Sequence, residues 1–546
     1  MDGHIVYWYT LHVKKCDGRK TANRRQSIKK IPGMNTIMSL YEWQTDCLKA
    51  WARNGYRGIV NAITGSGKTV LALAAVKRLA EVSDRELRVK IVVPQTFLAA
   101  QWKDEVRRQL GANATDVGIY SGTRKDQGRK YTVYVINSAR YSLARHVISD
   151  INDGFSVLLI ADECHHYGSK ENNRIFDFYK VIGESAPYYA LGLSATPEIV
   201  DFKAISEPLG REIYYYDLGR ALRDRIISRF LLFSIRLDFK GHERKEYDEL
   251  SIDLTKCMAT LKRKRPELAG MPSALFFSCL QRLAQQGGDI GQLAQTTLAL
   301  TYKRRTLCHM AAERPICAVT IVKALPMRLK IILFCERIQA AEQLHRDLLG
   351  QYPGQAGLYH SKMTDQARQN VLQQFRQGAL RLLVCCKALD EGLNIPSTDA
   401  GIIVSTSMSA RQRVQRLGRM LRRSNEIKRI YYLYIGESSE DSELVLGLRA
   451  MENHIPLITL RFFGGKATHS EYEKLRGRVL GYVSGHRDDP KLLGALSANL
   501  DLVLLRGDFL MHEQACREKL QAAGSIAERQ YWTSALYVIL ARLNKL

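Results

Sequence analysis

No two cysteines stand at C-x-x-C spacing, although the chain holds 11 of them, an odd number. That absence, with the odd count, argues against a zinc ribbon and a disulfide framework. Only Cys385 and Cys386 are neighbours. Most of the others lie in apolar runs such as IILFC (331–335), where a cysteine reads as a small buried hydrophobe. A reducing, cytoplasmic setting is the matching expectation. Long hydrophobic runs are missing too. No stretch reaches about 18 apolar residues, so no membrane-spanning helix is expected. The start, MDGHIVYWYTLHVKK, has an acid early and its lysines late, the wrong order for a secretory leader. Acidic residues are scarce beside basic ones, 55 against 81, which leaves a net charge of +26. A surplus of that size favours a polyanion as partner, nucleic acid ahead of an anionic membrane.

What is present is enough to build several cores. Hydrophobic residues make up 46% of 546, which excludes disorder for the whole chain and suggests about three domains. Residues 14–30, KKCDGRKTANRRQSIKK, carry eight basic residues and one acid and read as a solvated arm. From residue 40 the pattern changes. Apolar runs without alternation, GIVNAI (58–63), RVKIVVP (88–94), YTVYVI (131–136) and SVLLIADE (156–163), alternate with helix-like stretches such as TVLALAAVKRLAEV (69–82). Such strands, each followed by a helix, imply a parallel sheet covered on both faces. A mixed-charge helical stretch follows Phe239. The alternation restarts with LKIILFC (329–335), AGLYHS (356–361), LRLLVCC (380–386), AGIIVS (400–405) and RIYYLYI (429–435). Beyond about residue 466 the text is helical again and holds no carboxylate–histidine cluster of a nuclease kind.

ITGSGKT (63–69) carries the first chemistry. It follows a strand and opens a helix, with Thr64, Gly65, Ser66 and Gly67 as the loop. Backbone N–H groups and the helix dipole in such a loop face an anion. Lys68 is placed to reach the β- and γ-phosphates of ATP, and the Thr69 hydroxyl to join the shell of Mg²⁺. The strict motif begins with Gly where this chain has Ala62; a methyl there needs an ordinary negative φ. The companion site is LLIADECHH (158–166), with Asp162 and Glu163 at the end of an apolar strand. Ligands of doubly wound sheets gather at that end. Two adjacent acids repel unless a cation sits beside them, so Asp162 is expected to hold Mg²⁺ and Glu163 to orient the attacking water.

These motifs, with others in the same order from about residue 40 to 445, resemble the superfamily 2 DEAD/DEAH-box (DExH) helicases and translocases. The resemblance is narrower to the branch of XPB-like, UvsW-like and type I/III restriction motor subunits. It implies an α/β fold of two tandem RecA-like domains. The expected division is an arm at 1–38, a first lobe at 39–236, a helical connector at 237–325, a second lobe at 326–465 and a helical accessory region at 466–546. By resemblance, LYEWQ (40–44) places Gln44 at the adenine edge, and VVPQTFLAAQW (92–102) and VINSARYSL (135–143) place Pro94, Gln95 and Ser138 along a strand. LSATP (193–197) couples site and strand through Ser194 and Thr196. LVCCKALDEGLNIPSTD (383–399) is similar to the motif that contributes Gly392 and Asn394 to the nucleotide, with Lys387 standing in for a strand-binding Thr that Cys386 replaces. QRLGRMLRR (415–423) implies that Gln415 faces His165 and that Arg419 and Arg422 act as arginine fingers, planar cations that grip a transferring phosphoryl group.

What the resemblance implies is an ATP-dependent DNA helicase or translocase, in repair, recombination or antiviral defence. An RNA helicase is one alternative. A nucleic-acid-gated motor subunit of a larger restriction or defence complex, docking protein partners through 466–546, is the other.

Overall fold

The computed structural model describes residues 39–63, 65–195, 202–271, 273–386, 398–406, 428–441, 455–486 and 490–546. The basic arm therefore lies outside the described residues.

The first sheet has seven parallel strands. They are β1 (Arg57–Ala62), β2 (Leu87–Val93), β3 (Val117–Tyr120), β4 (Tyr131–Val135), β5 (Ser156–Ala161), β6 (Tyr188–Ser194) and β7 (Glu212–Tyr216), in the order β3-β4-β2-β5-β6-β1-β7. The central strands are buried along nearly their whole length, because helices cover both faces; that is why they read as unbroken apolar runs. Helix α1 (Glu42–Arg53) precedes β1, α2 (Lys68–Val82) follows it, α3 (Thr96–Leu110) follows β2, and α4 (Ile136–Asn152) follows β4. Helix α2 is rich in Ala and Leu, the best helix formers, and buries Leu71, Ala72, Leu73, Ala75 and Leu79. One buried charge interrupts β2. Lys90 is 1% exposed and meets Asp150 of α4 at 2.5 Å, an ion pair that fixes α4 on the sheet.

The second sheet has eight strands: β8 (Phe230–Leu237), β9 (Ile331–Cys335), β10 (Ala356–Tyr359), β11 (Leu382–Cys386), β12 (Ala400–Ile403), β13 (Lys428–Ile435), β14 (Leu457–Phe463) and β15 (Lys466–Thr468). Their order is β10-β11-β9-β12-β13-β8-β14-β15, and all pairings but β14–β15 are parallel. This corrects the sequence reading at two points. FLLFSIRL, assigned to the first lobe by a boundary at 236, pairs from Phe230 to Leu237 between β13 and β14. β15 carries the second sheet past the boundary at 465. Burial on both faces decides the matter for β8, since it supplies apolar side chains that only an interior position in a sheet can use.

Between β8 and β9 run four helices: α5 (Gly241–Lys264), α6 (Ser273–Gln285), α7 (Gly288–Met310) and α8 (Glu313–Ala324). The first three enclose a small core of their own, including Leu261, Leu268, Phe276, Leu280, Leu283 and Ala294. The connector is thus an insertion within the second lobe. Arg314 of α8 is 1% exposed and reaches back into the sheet. It donates to the Cys308 carbonyl at 2.6 Å, to the Val404 carbonyl just beyond β12, to the Leu433 carbonyl of β13 at 3.2 Å, and to Glu440. Beside it, burial and the guanidinium push the His309 pKa down to about 3, so the imidazole stays neutral.

The C-terminal region is helical from Ser470 onward, as expected, with long helices at Ser470–His486, Pro490–Arg506 and Ile526–Arg542. Its apolar faces join the core of the second lobe. Tyr431 of β13 donates to the Leu505 carbonyl at 2.7 Å, and Arg429 meets Asp508 at 2.9 Å.

Among the described residues all ten cysteines are free, eight of them buried. No described helix is long and apolar enough to cross a membrane.

Candidate functional site

All the strands of the first sheet point the same way, so the motif residues that follow them share one edge. The phosphate-loop sequence leaves β1, Pro94 and Gln95 leave β2, Ser138 lies in the first turn of α4 after β4, Asp162 and Glu163 leave β5, and Ser194 ends β6. The strand order β5-β6-β1 places Ser194 between the carboxylate pair and the loop.

The loop turns at Gly65 (φ +85°) and Gly67 (φ +96°), both in the left-handed region that glycine adopts without penalty. Ala62 is the last residue of β1 and needs no such freedom, which accounts for the missing first glycine. No side chain caps α2, so its first N–H groups remain for an anion. Lys68 Nζ donates to the Ala62 carbonyl at 3.0 Å, which holds the ammonium over the loop. Ser66 is fully buried and its Oγ finds no hydrogen-bond partner among the described residues, a donor suited to a phosphate oxygen.

Gln44 is 1% exposed. Its Nε2 donates to the Gly67 carbonyl at 3.0 Å, and its Oε1 accepts from the Tyr41 N–H at 2.9 Å. A side chain on residue 67 would begin 2.8 Å from that Nε2 and would push the amide aside, in addition to straining φ. In this geometry Gln44 is a strut of the loop, which links any reading of the base to the phosphate cradle. Its neighbour Trp43 stacks on Tyr216 of β7, with centroids 4.6 Å apart, and anchors α1 to the sheet edge.

Asp162 Oδ2 accepts from Trp102 Nε1 at 2.8 Å, and Oδ1 accepts from the Glu163 N–H at 3.1 Å. Burial, then repulsion from Glu163, raises the Asp162 pKa from its ordinary value to about 6, against the pull of those hydrogen bonds and of Lys68. A carboxylate so held is stabilised by a nearby cation, so its chemistry fits a divalent metal. Glu163 has φ +48°, uncommon for a residue with a side chain. Its carboxylate lies 3.5 Å from His165 Nδ1, and that nitrogen shares a hydrogen bond with Ser194 Oγ at 3.1 Å. The acid, the histidine and the serine of the neighbouring strand therefore form one chain of contacts.

Two supporting contacts carry no signal in the sequence. Trp102 lies 60 residues from Asp162. Tyr167 donates to the Asp162 carbonyl at 2.7 Å and to the Val92 carbonyl at 3.1 Å, pinning the end of β5 to β2. Thr64, Thr196, Lys387, Gly392, Asn394, Gln415, Arg419 and Arg422 lie outside the described residues.

A phosphate loop and an acid pair on the carboxyl edge of a parallel sheet, followed by a second parallel-sheet lobe, define the tandem RecA-like class of P-loop proteins. Residues 37–199 match the family of the type III restriction enzyme res subunit, and residues 318–424 match the helicase conserved C-terminal domain. These two domains and the relatives below support a superfamily 2 helicase of the XPB-like, restriction-motor-like kind, and with it nucleic-acid-dependent ATPase activity. It is 28% identical over 397 residues to the "DNA 3'-5' translocase XPB2" of Sulfurisphaera tokodaii, covering 72% of this chain and 81% of that one. It is 24% identical over 415 residues to the "Putative DNA 3'-5' helicase Rad25" of Haloarcula marismortui, covering 75% of this chain and 54%, about half, of that one. The solved Pyrococcus furiosus Hef helicase domain overlays 73% of this chain and 97% of its own length at 16% identity, with a TM-score of 0.46.

Proposed function

We propose that the chain is an ATP-dependent DNA translocase or helicase in which ATP binds across the edge of the first sheet and DNA runs along that same edge. The observation that carries the reading is the contact chain Glu163–His165–Ser194, which joins the expected hydrolytic acid to the strand lying beside the loop. The printed descriptions of the relatives support DNA over RNA.

In this reading Lys68 and the N–H groups of α2 hold the phosphates, and Gln44 reports base occupancy to the loop through Gly67. Thr69 and Asp162 would hold Mg²⁺, which neutralises phosphate charge when bound. Glu163 orients the attacking water and takes its proton. Arg419 and Arg422 belong to the second lobe, so the site is complete only when the lobes meet. That makes the motion ATP-dependent, because the γ-phosphate contacts exist in one arrangement alone. Pro94, Gln95, Ser138 and Lys387 contact the strand, and Thr196 works beside Ser194. Gly392 and Asn394 complete the nucleotide site, and Gln415 meets His165. The domain divisions follow the two sheets, with β8 reassigned to the second lobe.

The test is a panel of effectors for nucleotide hydrolysis: duplex DNA, single-stranded DNA and RNA of one length. DNA should stimulate and RNA should not. Affinity for a single strand should fall with salt at about −0.7 in the logarithmic plot per phosphate contacted. Stimulation by RNA alone would replace this reading with an RNA helicase.

Asp162 supplies a pH dependence. Its carboxyl, raised to about 6, gains a proton as pH falls through that value, and the protonated form cannot hold a cation. Hydrolysis at limiting Mg²⁺ should therefore decline below about pH 6. The acid limb should move to lower pH as Mg²⁺ is raised, because a cation favours the ionised acid. A limb that ignores Mg²⁺ would assign it to another group.

A further inference from the structure

On α4, Tyr141 stands one turn beyond Ser138, on the same face, yet is 58% exposed. An aromatic ring left in water needs a reason when two cations are arranged around it. The Arg174 guanidinium lies 5.4 Å from the ring centroid and that of Arg140 lies 6.0 Å from it. Arg145, one turn further along, donates to the Tyr141 carbonyl at 3.2 Å. Arg140 is oriented by Asn137 and by Glu171 at 3.6 Å. Arg174 also lines an open cavity of ≈ 580 Å³ with Lys170, Glu171, Asn173, Asp177 and Lys180, three cations against two carboxylates. The platform is rigid from below. Lys90–Asp150 fixes α4 on β2, and Tyr134 shares a 2.9 Å hydrogen bond with His146 of the same helix.

An exposed ring flanked by guanidinium groups is the pairing that single-stranded nucleic acid uses, with a base on the ring and phosphates on the cations. A rise of about 1.5 Å per residue puts Tyr141 about 4–5 Å along the helix from Ser138, one turn from the edge where the strand is expected to run. We propose that Tyr141 is a stacking site for one nucleobase of a single-stranded segment, held between the cations Arg140 and Arg174. The inference rests on the strand-binding reading of the edge above and adds to the strand contacts Pro94, Gln95 and Ser138 a residue that reads a base face.

The experiment compares binding of a base-bearing oligodeoxynucleotide with binding of an abasic backbone of equal length, for the whole chain. Tyr141→Ala should weaken binding of the base-bearing oligomer about five- to a hundredfold and leave the abasic one unchanged. Tyr141→Phe should restore the difference. Arg174→Ala should weaken both oligomers and reduce the salt slope by about one phosphate. If Tyr141→Ala weakens both oligomers equally, or neither, the stacking site is wrong while the strand-binding reading stands. If the wild-type chain binds neither oligomer, both fall together.

Discussion

Replacing Glu163 by Gln should lower DNA-stimulated ATP hydrolysis by about 10²–10⁴-fold, the range in which a positioned general base operates. The amide keeps the size and the backbone demand of the acid, so the φ of +48° and the packing against His165 survive. What it loses is a proton acceptor. Strand affinity should stay near that of the wild type, because the residues assigned to the strand leave other elements of the edge. Steady-state hydrolysis and strand titrations on one preparation separate the two effects. Wild-type turnover in Glu163→Gln would remove Glu163 from the chemistry. Weakened strand binding of the same size as the turnover loss would make it a structural residue instead.

The second large effect concerns stability. Arg314→Met should destabilise the second lobe by about 3–5 kcal/mol, the usual result of removing one partner of a buried ion pair. The substitution leaves Glu440 uncompensated at 11% side-chain exposure and strips a donor from the Val404 and Leu433 carbonyls. Adding Glu440→Gln should recover part of the loss, since the stranded charge is then gone. A chain with two lobes does not unfold in one step, so a global midpoint is the wrong readout. Hydrogen exchange in β12 and β13 measures the effect where Arg314 acts. The segment that carries Gln415, Arg419 and Arg422 runs between these two strands, so loosening them should also lower stimulated hydrolysis. Unchanged protection in β12 and β13 would show that Arg314 is dispensable.

Much of this arrangement is legible in the residues themselves. Runs such as SVLLIA and IILFC have no polar alternation, and a strand buried on both faces is the only element that uses them. The glycines of the loop and the DE pair announce an anion and a cation, and the parallel topology brings them together. β8 was hidden for a different reason. Its text reads as a strand, but nothing local tells a strand which sheet it will join, and its neighbours β13 and β14 come about 200 residues later in the chain. Trp102 and Tyr167 were hidden because a hydrogen bond to Asp162 is a tertiary event with no periodicity. Gln44 was legible as a functional position, yet its two bonds to Tyr41 and Gly67 show a tie to the loop that its motif alone does not reveal.

The insertion between β8 and β9 has a mechanical side. Helix α5 has 24 residues, so at about 1.5 Å each it is about 36 Å long, and it springs from the end of a strand inside the second sheet. A helix rooted that way turns with its lobe like a boom on a turntable: a rotation of the second lobe by only about 15° would carry the far end about 9 Å, given that length. Small adjustments beside the nucleotide would thus reach the tip of the insertion as displacements wider than one base step.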